Sequence, residues 1–146
     1  MMDENGRMAR VYGHGRAQSR AFLTDYAFLA NGLVALHRAT GEDRWIQQAT
    51  QLTETQIEWY WDSRRGAFFF TPRDHEPLLV GIKHLIDGAQ PSGNSVAVEN
   101  LLYLGRALPN PDFTQKAART IAAATPLLER APTAAMWLVA AVTESR

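Results

Sequence analysis

The sequence contains an internal repeat in which two predicted helices recur 68 positions further along the chain. Sliding the chain on itself without a gap gives the aligned pairs Leu33 with Leu101, Leu36 with Leu104, Arg38 with Arg106, Ala39 with Ala107, Trp45 with Phe113, Gln47 with Gln115 and Ala49 with Ala117. A period of two helices plus an inserted loop favours a solenoid or closed toroid of helical hairpins over an up-and-down four-helix bundle.

Apolar residues at steps of three and four predict five helices. They cover about residues 22–39, 45–60, 97–108, 111–128 and 133–144. Asn110 is expected to cap the fourth helix, with Pro111 at its first position, and Pro126 and Pro132 to mark its end. The short linker after Gly41 makes the first two helices antiparallel neighbours.

A small β-hairpin is predicted in the middle of the chain. Its strands are the aromatic run 66–71 and residues 78–80, with a polar connection between them. Residues 1–20 are expected to form a poorly ordered or extended segment, and residues 21–146 one α/α-hairpin domain.

Composition narrows the function classes. Lys plus Arg equals Asp plus Glu, at 15 each, so no net positive field favours nucleic acid. The chain has no cysteine, and its four histidines lack HxxxH or HExxH spacing, so neither a metal nor another cofactor is indicated. No segment resembles a signal peptide or a membrane span, which makes the cytoplasm the expected location.

The repeat also predicts where a ligand would bind. The offset lays Asp25-Tyr26 over Gly93-Asn94, so both helix starts are expected on one rim of the array. Polar side chains and free N–H groups at such a rim favour an anionic or polyhydroxyl ligand.

Three runs, taken in order, resemble a known family. They are TDYAFL at 24–29, GAFFFT at 66–71 and DGAQPSGNS at 87–95. From about Arg10 onward the chain is similar to the C-terminal half of the YyaL-like proteins, which include the spermatogenesis-associated thioredoxin-domain proteins.

The resemblance implies a fold. In that family a thioredoxin-like domain precedes an (α/α)6 toroid similar to N-acylglucosamine 2-epimerases and six-hairpin glycosidases. The expected fold is therefore all-α, a partial toroid with a small inserted β-hairpin, and the chain is expected to be a truncated piece. It departs from the family at Gly81, where a basic residue usually stands two positions before the lysine matching Lys83.

Three residues are candidate catalytic groups. Asp25, beside an aromatic residue at the rim, is a candidate general acid or base, or else a helix-capping acid. Asp87 is a candidate second carboxylate for glycoside chemistry, or else the start of an Asp-Gly turn. His75 is a candidate for taking a proton from a sugar carbon, as the epimerase resemblance implies, or else a solvated loop residue.

Eight residues are candidate ligand contacts. Lys83 would hold a carboxylate, unless it lies in a solvated loop. Polar groups suited to a sugar are Ser92, Asn94 and Ser95, a run that also forms a good turn and helix start. The aromatic candidates Trp61, Phe69 and Phe70 would stack on a pyranose ring, although such residues are also typical of a core. Tyr26 is a further candidate ligand contact.

These observations predict a module that binds or transforms a small carbohydrate-like ligand. The alternative is a non-catalytic interaction or structural module. A concave site joining Asp25, Asp87 and Asn94 would favour the first, and a flat or apolar exposed surface the second.

A partial toroid leaves two open edges, where Leu23, Val34, Trp137 and Val139 would lack partners. Because exposing apolar surface costs about 25 cal/mol per Å2, we expect a homodimer, or a missing partner domain in its place. Light scattering at micromolar concentration should give twice the monomer mass of 16.3 kDa. A clean monomer without exposed apolar patches would contradict the expectation.

Overall fold

The structure, a computed structural model, describes residues 7–13, 16–74 and 81–144. A hairpin of two strands precedes five helices, and a 3-10 turn at Pro132–Ala135 leads into the last one. The elements are β1 Ala9–Gly13, β2 Arg16–Arg20, α1 Leu23–Thr40, α2 Asp43–Tyr60, α3 Gly93–Ala107, α4 Pro111–Arg130 and α5 Met136–Glu144. The mainly helical class and the five predicted helices are confirmed.

The β-hairpin lies at a different place from the predicted one. Strands β1 and β2 pair antiparallel, with Ala9 opposite Arg20. The run 66–71 forms only a single bridge, between Trp61 and Phe68, because Gly66 and Ala67 both have left-handed φ angles, of 71° and 61°. Two consecutive left-handed residues end an extended strand, and residues 78–80 lie outside the described part of the chain.

The helices pack as two successive hairpins. Helix α1 packs against α2 and α3, and α3 packs in turn against α4 and α5. Helices α1, α3 and α5 therefore form a row, while α2 packs against α1 and α4 packs against α3. Helix α4 begins at Pro111 and α2 at Asp43, which is the offset of 68 seen in the sequence.

Helix α3 is the centre of the core. Residues 92–98 are all buried, and so are Asn100, Leu101 and Leu104. The buried Asn100 amide donates to the Ala27 carbonyl at 2.9 Å and accepts from the Asn31 amide at 3.0 Å. These bonds satisfy polar groups that would otherwise destabilise the α1–α3 interface.

Two expectations about helix ends and edges need correction. Pro126 lies inside α4, which continues to Arg130. The N–H that proline lacks removes one helical hydrogen bond but does not end the helix. Leu23 and Val34 are buried between neighbouring helices, at 1% exposure, whereas Trp137 and Val139 are exposed as predicted.

The Asn110 side chain does cap α4, since its Oδ1 accepts from the Asp112 N–H at 3.1 Å. Within the described residues, no helix has the length and apolar character needed to span a membrane.

A matched pair of glycines tests the turn after α2. A Cβ at Gly66, whose φ is 71°, would lie 2.7 Å from the Arg119 carbonyl oxygen, whereas nothing lies within 4 Å of one at Gly32 in α1. Gly66→Ala should therefore lower the free energy of unfolding by about 1–3 kcal/mol. Gly32→Ala should raise it by about 0.5–1 kcal/mol, because alanine favours the helix. Urea denaturation measures both, and a Gly66→Ala protein as stable as the wild type would contradict the proposed strain.

Candidate functional site

A cavity of about 840 Å3 lies at the N-terminal ends of α1 and α3. Its lining residues are Met8, Arg10, Thr24, Asp25, Phe28, Leu29, Phe70, His84, Ile86, Gln90, Pro91, Ser92 and Gly93. Asp25 and the start of α3 therefore share one cavity, as the repeat predicts. The helices approach closely there because α3 begins with glycine: a Cβ at Gly93 would lie 3.0 Å from Leu23 Cγ.

Asp25 lies in the first turn of α1 and is half-buried. Its Oδ2 accepts from the Phe22 N–H at 2.7 Å, so it caps the helix as the structural interpretation predicts. Its other carboxylate oxygen has no hydrogen-bond partner among the described residues and remains able to accept from a ligand. Both interpretations of Asp25 are thus compatible with its position.

Asp87 joins the starts of two helices instead of lining the cavity. Its Oδ1 accepts from the Ser92 N–H and from Ser95 Oγ, both at 2.8 Å. Its Oδ2 accepts from the Trp137 N–H at 2.8 Å, at the start of α5. The structure gives Asp87 these structural bonds and does not place it in the cavity beside Asp25.

The polar side chains at the start of α3 are all buried, and one of them, Ser92, also lines the cavity. Ser92 lines the cavity and caps α3, its Oγ accepting from the Ser95 N–H at 3.1 Å. Asn94 is 1% exposed; its Oδ1 accepts from the Phe68 N–H at 2.8 Å, and its Nδ2 donates to the Phe68 and His84 carbonyls at 3.0 Å. Asn94 and Ser95 therefore hold neighbouring backbone and side-chain groups inside the core.

Lys83 forms a partly buried ion pair away from the cavity. Its Nζ donates to Asp62 at 2.7 Å and also to the Gly66 carbonyl. Burial raises the pKa of Asp62, but hydrogen bonds from Lys83 and from the Arg65 and Arg64 N–H groups outweigh it and lower that pKa from 3.8 to about 2. Lys83 thus fastens the turn that follows α2.

The aromatic candidates are structural in this arrangement. Tyr26 is 1% exposed, and its hydroxyl accepts from the Met8 N–H at 2.7 Å. Trp61 packs edge-on against Phe68 at 5.0 Å between ring centroids. Phe69 covers Gly81, where a Cβ would lie 2.7 Å from its ring, so a basic side chain at that position would require Phe69 to move. His75 lies outside the described residues.

Sequence reasoning missed Arg10 and His84 as cavity residues. The Arg10 guanidinium lies over the Phe22 ring at 4.5 Å, Phe22 stacks on Phe70 at 4.5 Å, and His84 packs edge-on against Phe70 at 4.8 Å. For Phe70 the aromatic run was the only signal in the sequence. Arg10 gave no signal, because the segment that carries it was expected to be extended or poorly ordered. No group of three acidic or histidine side chains in the described ranges is arranged to hold a metal ion.

A second cavity, of about 480 Å3, lies near the C-terminal ends of α1 and α3. It contains the repeat-related pair Arg38 and Arg106, together with Glu99 and Tyr103. Glu99 accepts from Trp137 Nε1 at 2.9 Å, and the Tyr103 hydroxyl bonds His37 Nδ1 at 2.6 Å. Arginines in the last turns of helices also complement the helix dipole, so these groups are explained by the fold itself.

The chain is similar to curated proteins named spermatogenesis-associated protein 20. Identity to the Homo sapiens protein is 34% over 130 residues, covering 88% of this chain and 16% of the relative. Identity to the Mus musculus protein is 36% over 114 residues, covering 77% and 14%, and to the Rattus norvegicus protein 34% over 122 residues, covering 83% and 16%. The chain thus spans about a sixth or less of the length of these relatives. No protein-family model matches it.

The Asp62–Lys83 pair predicts how stability depends on pH. Because the pKa of Asp62 is depressed in the folded state, its contribution is present above its unfolded value of 3.8 and is lost as the pH falls towards about 2. The difference in unfolding free energy between wild type and Asp62→Asn should be roughly 1–2 kcal/mol at pH 7 and should shrink between pH 4 and pH 2. Urea denaturation across this range measures it. A difference that does not change with pH would contradict the pairing.

Proposed function

We propose that this chain is a sector of a helical-hairpin toroid from a protein of the spermatogenesis-associated protein 20 family, and that its larger cavity binds a carbohydrate-like small molecule. Similarity to those relatives over most of the chain supports the family. The row of α1, α3 and α5, backed by α2 and α4, supports the toroid, because a hairpin repeated at a fixed offset extends into a ring by adding further hairpins.

The observation that carries the ligand proposal is the composition of the cavity wall. Asp25 offers a carboxylate oxygen that has no hydrogen-bond partner among the described residues, and Gln90 and Thr24 add an amide and a hydroxyl. Phe28 and Ile86 line the same cavity and are 38% and 62% exposed. Sugars need both kinds of surface, since their hydroxyl groups form hydrogen bonds while their C–H faces pack on apolar side chains.

The size of the cavity also suits a small ligand. Small-molecule sites usually have volumes of about 300–1,000 Å3, and this open cavity has a volume of about 840 Å3. A monosaccharide or disaccharide would fit between the two helix starts.

The cavity favours binding or proton transfer over hydrolysis of a glycosidic bond. Most glycosidases need a second carboxylate across the scissile bond, and Asp87 is held instead by Ser92, Ser95 and Trp137. Asp25 and His84 are the acid and the imidazole among the cavity-lining residues. If the module is catalytic, these two groups exchange protons with the ligand, His84 taking the part expected of His75.

A second candidate function is an interaction module. On α5, Met136 and Trp137 are 56% and 43% exposed, and Val139 is 38% exposed. Apolar side chains grouped in this way mark an interface. A second copy of the chain would cover them, and Met136→Glu should then shift the dimer expected from the sequence towards the monomer.

The ligand proposal is tested by Asp25→Asn, which keeps an oxygen to cap Phe22 but removes the charge. Losing a charge-assisted hydrogen bond of about 1.5–3 kcal/mol should weaken binding by roughly 10- to 100-fold while the melting temperature changes little. Calorimetric titration with glucose, N-acetylglucosamine and glucuronate measures the affinity.

The matched control is Asp43→Asn, which changes a first-turn carboxylate of α2 outside the cavity. It should leave affinity unchanged. Equal affinity in the wild type and Asp25→Asn, or no binding of any sugar by the wild type, would overturn the proposal.

A further inference from the structure

Four side chains form a continuous stack along the cavity. The Arg10 guanidinium carbon lies 4.5 Å from the centroid of Phe22, which stacks on Phe70 at 4.5 Å and an interplanar angle of 26°. Phe70 meets the His84 ring at 4.8 Å and 81°. Arg10, Phe70 and His84 all line the cavity, so the stack sets a cationic group and an imidazole at its two ends.

Arg10 differs from the arginine that lies three residues before it. Arg7 forms a bidentate pair with Asp74 and lies 3.8 Å over Trp59, so its charge is neutralised by the protein. Arg10 makes no ion pair with any carboxylate in the part of the chain that the structure describes, and it is exposed. Its guanidinium lies over the Phe22 ring, and its N–H donors have no hydrogen-bond partner among the described residues.

We infer that the ligand of the larger cavity carries an anionic group, a carboxylate or a phosphate, and that Arg10 binds it. This inference rests on the proposed function and specifies its ligand as an acidic sugar or a sugar phosphate. A planar guanidinium donates two parallel hydrogen bonds to a carboxylate or phosphate, which an ammonium group does not. Stacking on Phe22 reduces the conformational entropy that Arg10 loses on binding.

The charges also orient the ligand. Arg10 attracts the anionic group, whereas the Asp25 carboxylate repels it and accepts hydrogen bonds from hydroxyl groups. An acidic sugar therefore enters with its acid towards the β-hairpin and its hydroxyl groups towards the starts of α1 and α3.

The test compares glucose, glucuronate and glucose 6-phosphate on the wild type, Arg10→Gln, Arg10→Lys and Arg44→Gln. Arg44 is a matched control, because it is an exposed arginine lying 4.1 Å over the Trp45 ring outside the cavity. In the wild type, at least one anionic sugar should bind about 10-fold or more tightly than glucose. Arg10→Gln should remove that advantage by weakening the anionic sugar far more than glucose, Arg10→Lys should retain it only in part, and Arg44→Gln should leave it intact.

The ligand series separates the inference from the proposed function. Glucose binding as tightly as both anionic sugars, or Arg10→Gln keeping the preference, would overturn the inference and leave the proposed function standing. An equal loss in Arg44→Gln would also overturn it, since the preference would then reflect overall charge. No binding of any of the three sugars would overturn both. A preference for glucuronate or for the phosphate alone supports the inference and identifies the acid. Melting temperatures close to the wild-type value confirm that each variant is folded.

Discussion

The arrangement of the cavity depends on the buried side chain of Asn94. From the first turn of α3, its amide binds both backbone groups of Phe68 and the carbonyl of His84. These three bonds hold two irregular segments, one after α2 and one before α3, against the central helix. Phe70 and His84 belong to those segments and form one wall of the cavity. The hydrogen bonds of one buried amide thus fix the position of two irregular segments, as the backbone hydrogen bonds of a β-sheet fix its strands.

The segment that contributes Met8 and Arg10 to the cavity is attached to the helices by two buried tyrosines. Tyr26 on α1 accepts from the Met8 N–H, and Tyr60 on α2 donates to the Ala21 carbonyl at 2.6 Å. Burial raises the pKa of Tyr60 far above its usual value, so this donor keeps its proton throughout the physiological range. The hairpin that carries Arg10 is therefore anchored to the core at its first residues and at its last.

The helices were predictable because their signal is local and repeated. Apolar spacing, the Asn110-Pro111 start and the offset of 68 all act within a few turns of the chain. Asp25 was found in the same way, since a carboxylate in a first turn is visible in the sequence. The β-hairpin was misplaced because the aromatic composition of the run 66–71 does not reveal that Gly66 and Ala67 adopt left-handed angles.

The rest of the site depends on contacts between distant residues. Lys83 pairs with Asp62, and Asn94 reaches Phe68, across separations of 21 and 26 residues. A run such as PSGNS suits both a ligand and a turn, and only burial shows that Asn94 and Ser95 face the core. Arg10 lines the cavity because β1 pairs with β2, and nothing in the sequence indicated this pairing.

The bonds to Asp87 make a small closed ring of the loop that precedes α3. The Asp87 carboxylate, at the start of this loop, accepts from the N–H of Ser92 at its end. Inside the loop, the Gly88 N–H donates to the Gln90 carbonyl at 3.0 Å. A loop closed in this way holds Gln90 and Pro91 in position before any ligand arrives. Binding of the proposed ligand would therefore cost little conformational entropy in this loop, so more of the contact energy would appear as affinity. The same carboxylate also accepts from the Trp137 N–H at the start of α5. A shift of this loop would therefore also shift the start of the last helix.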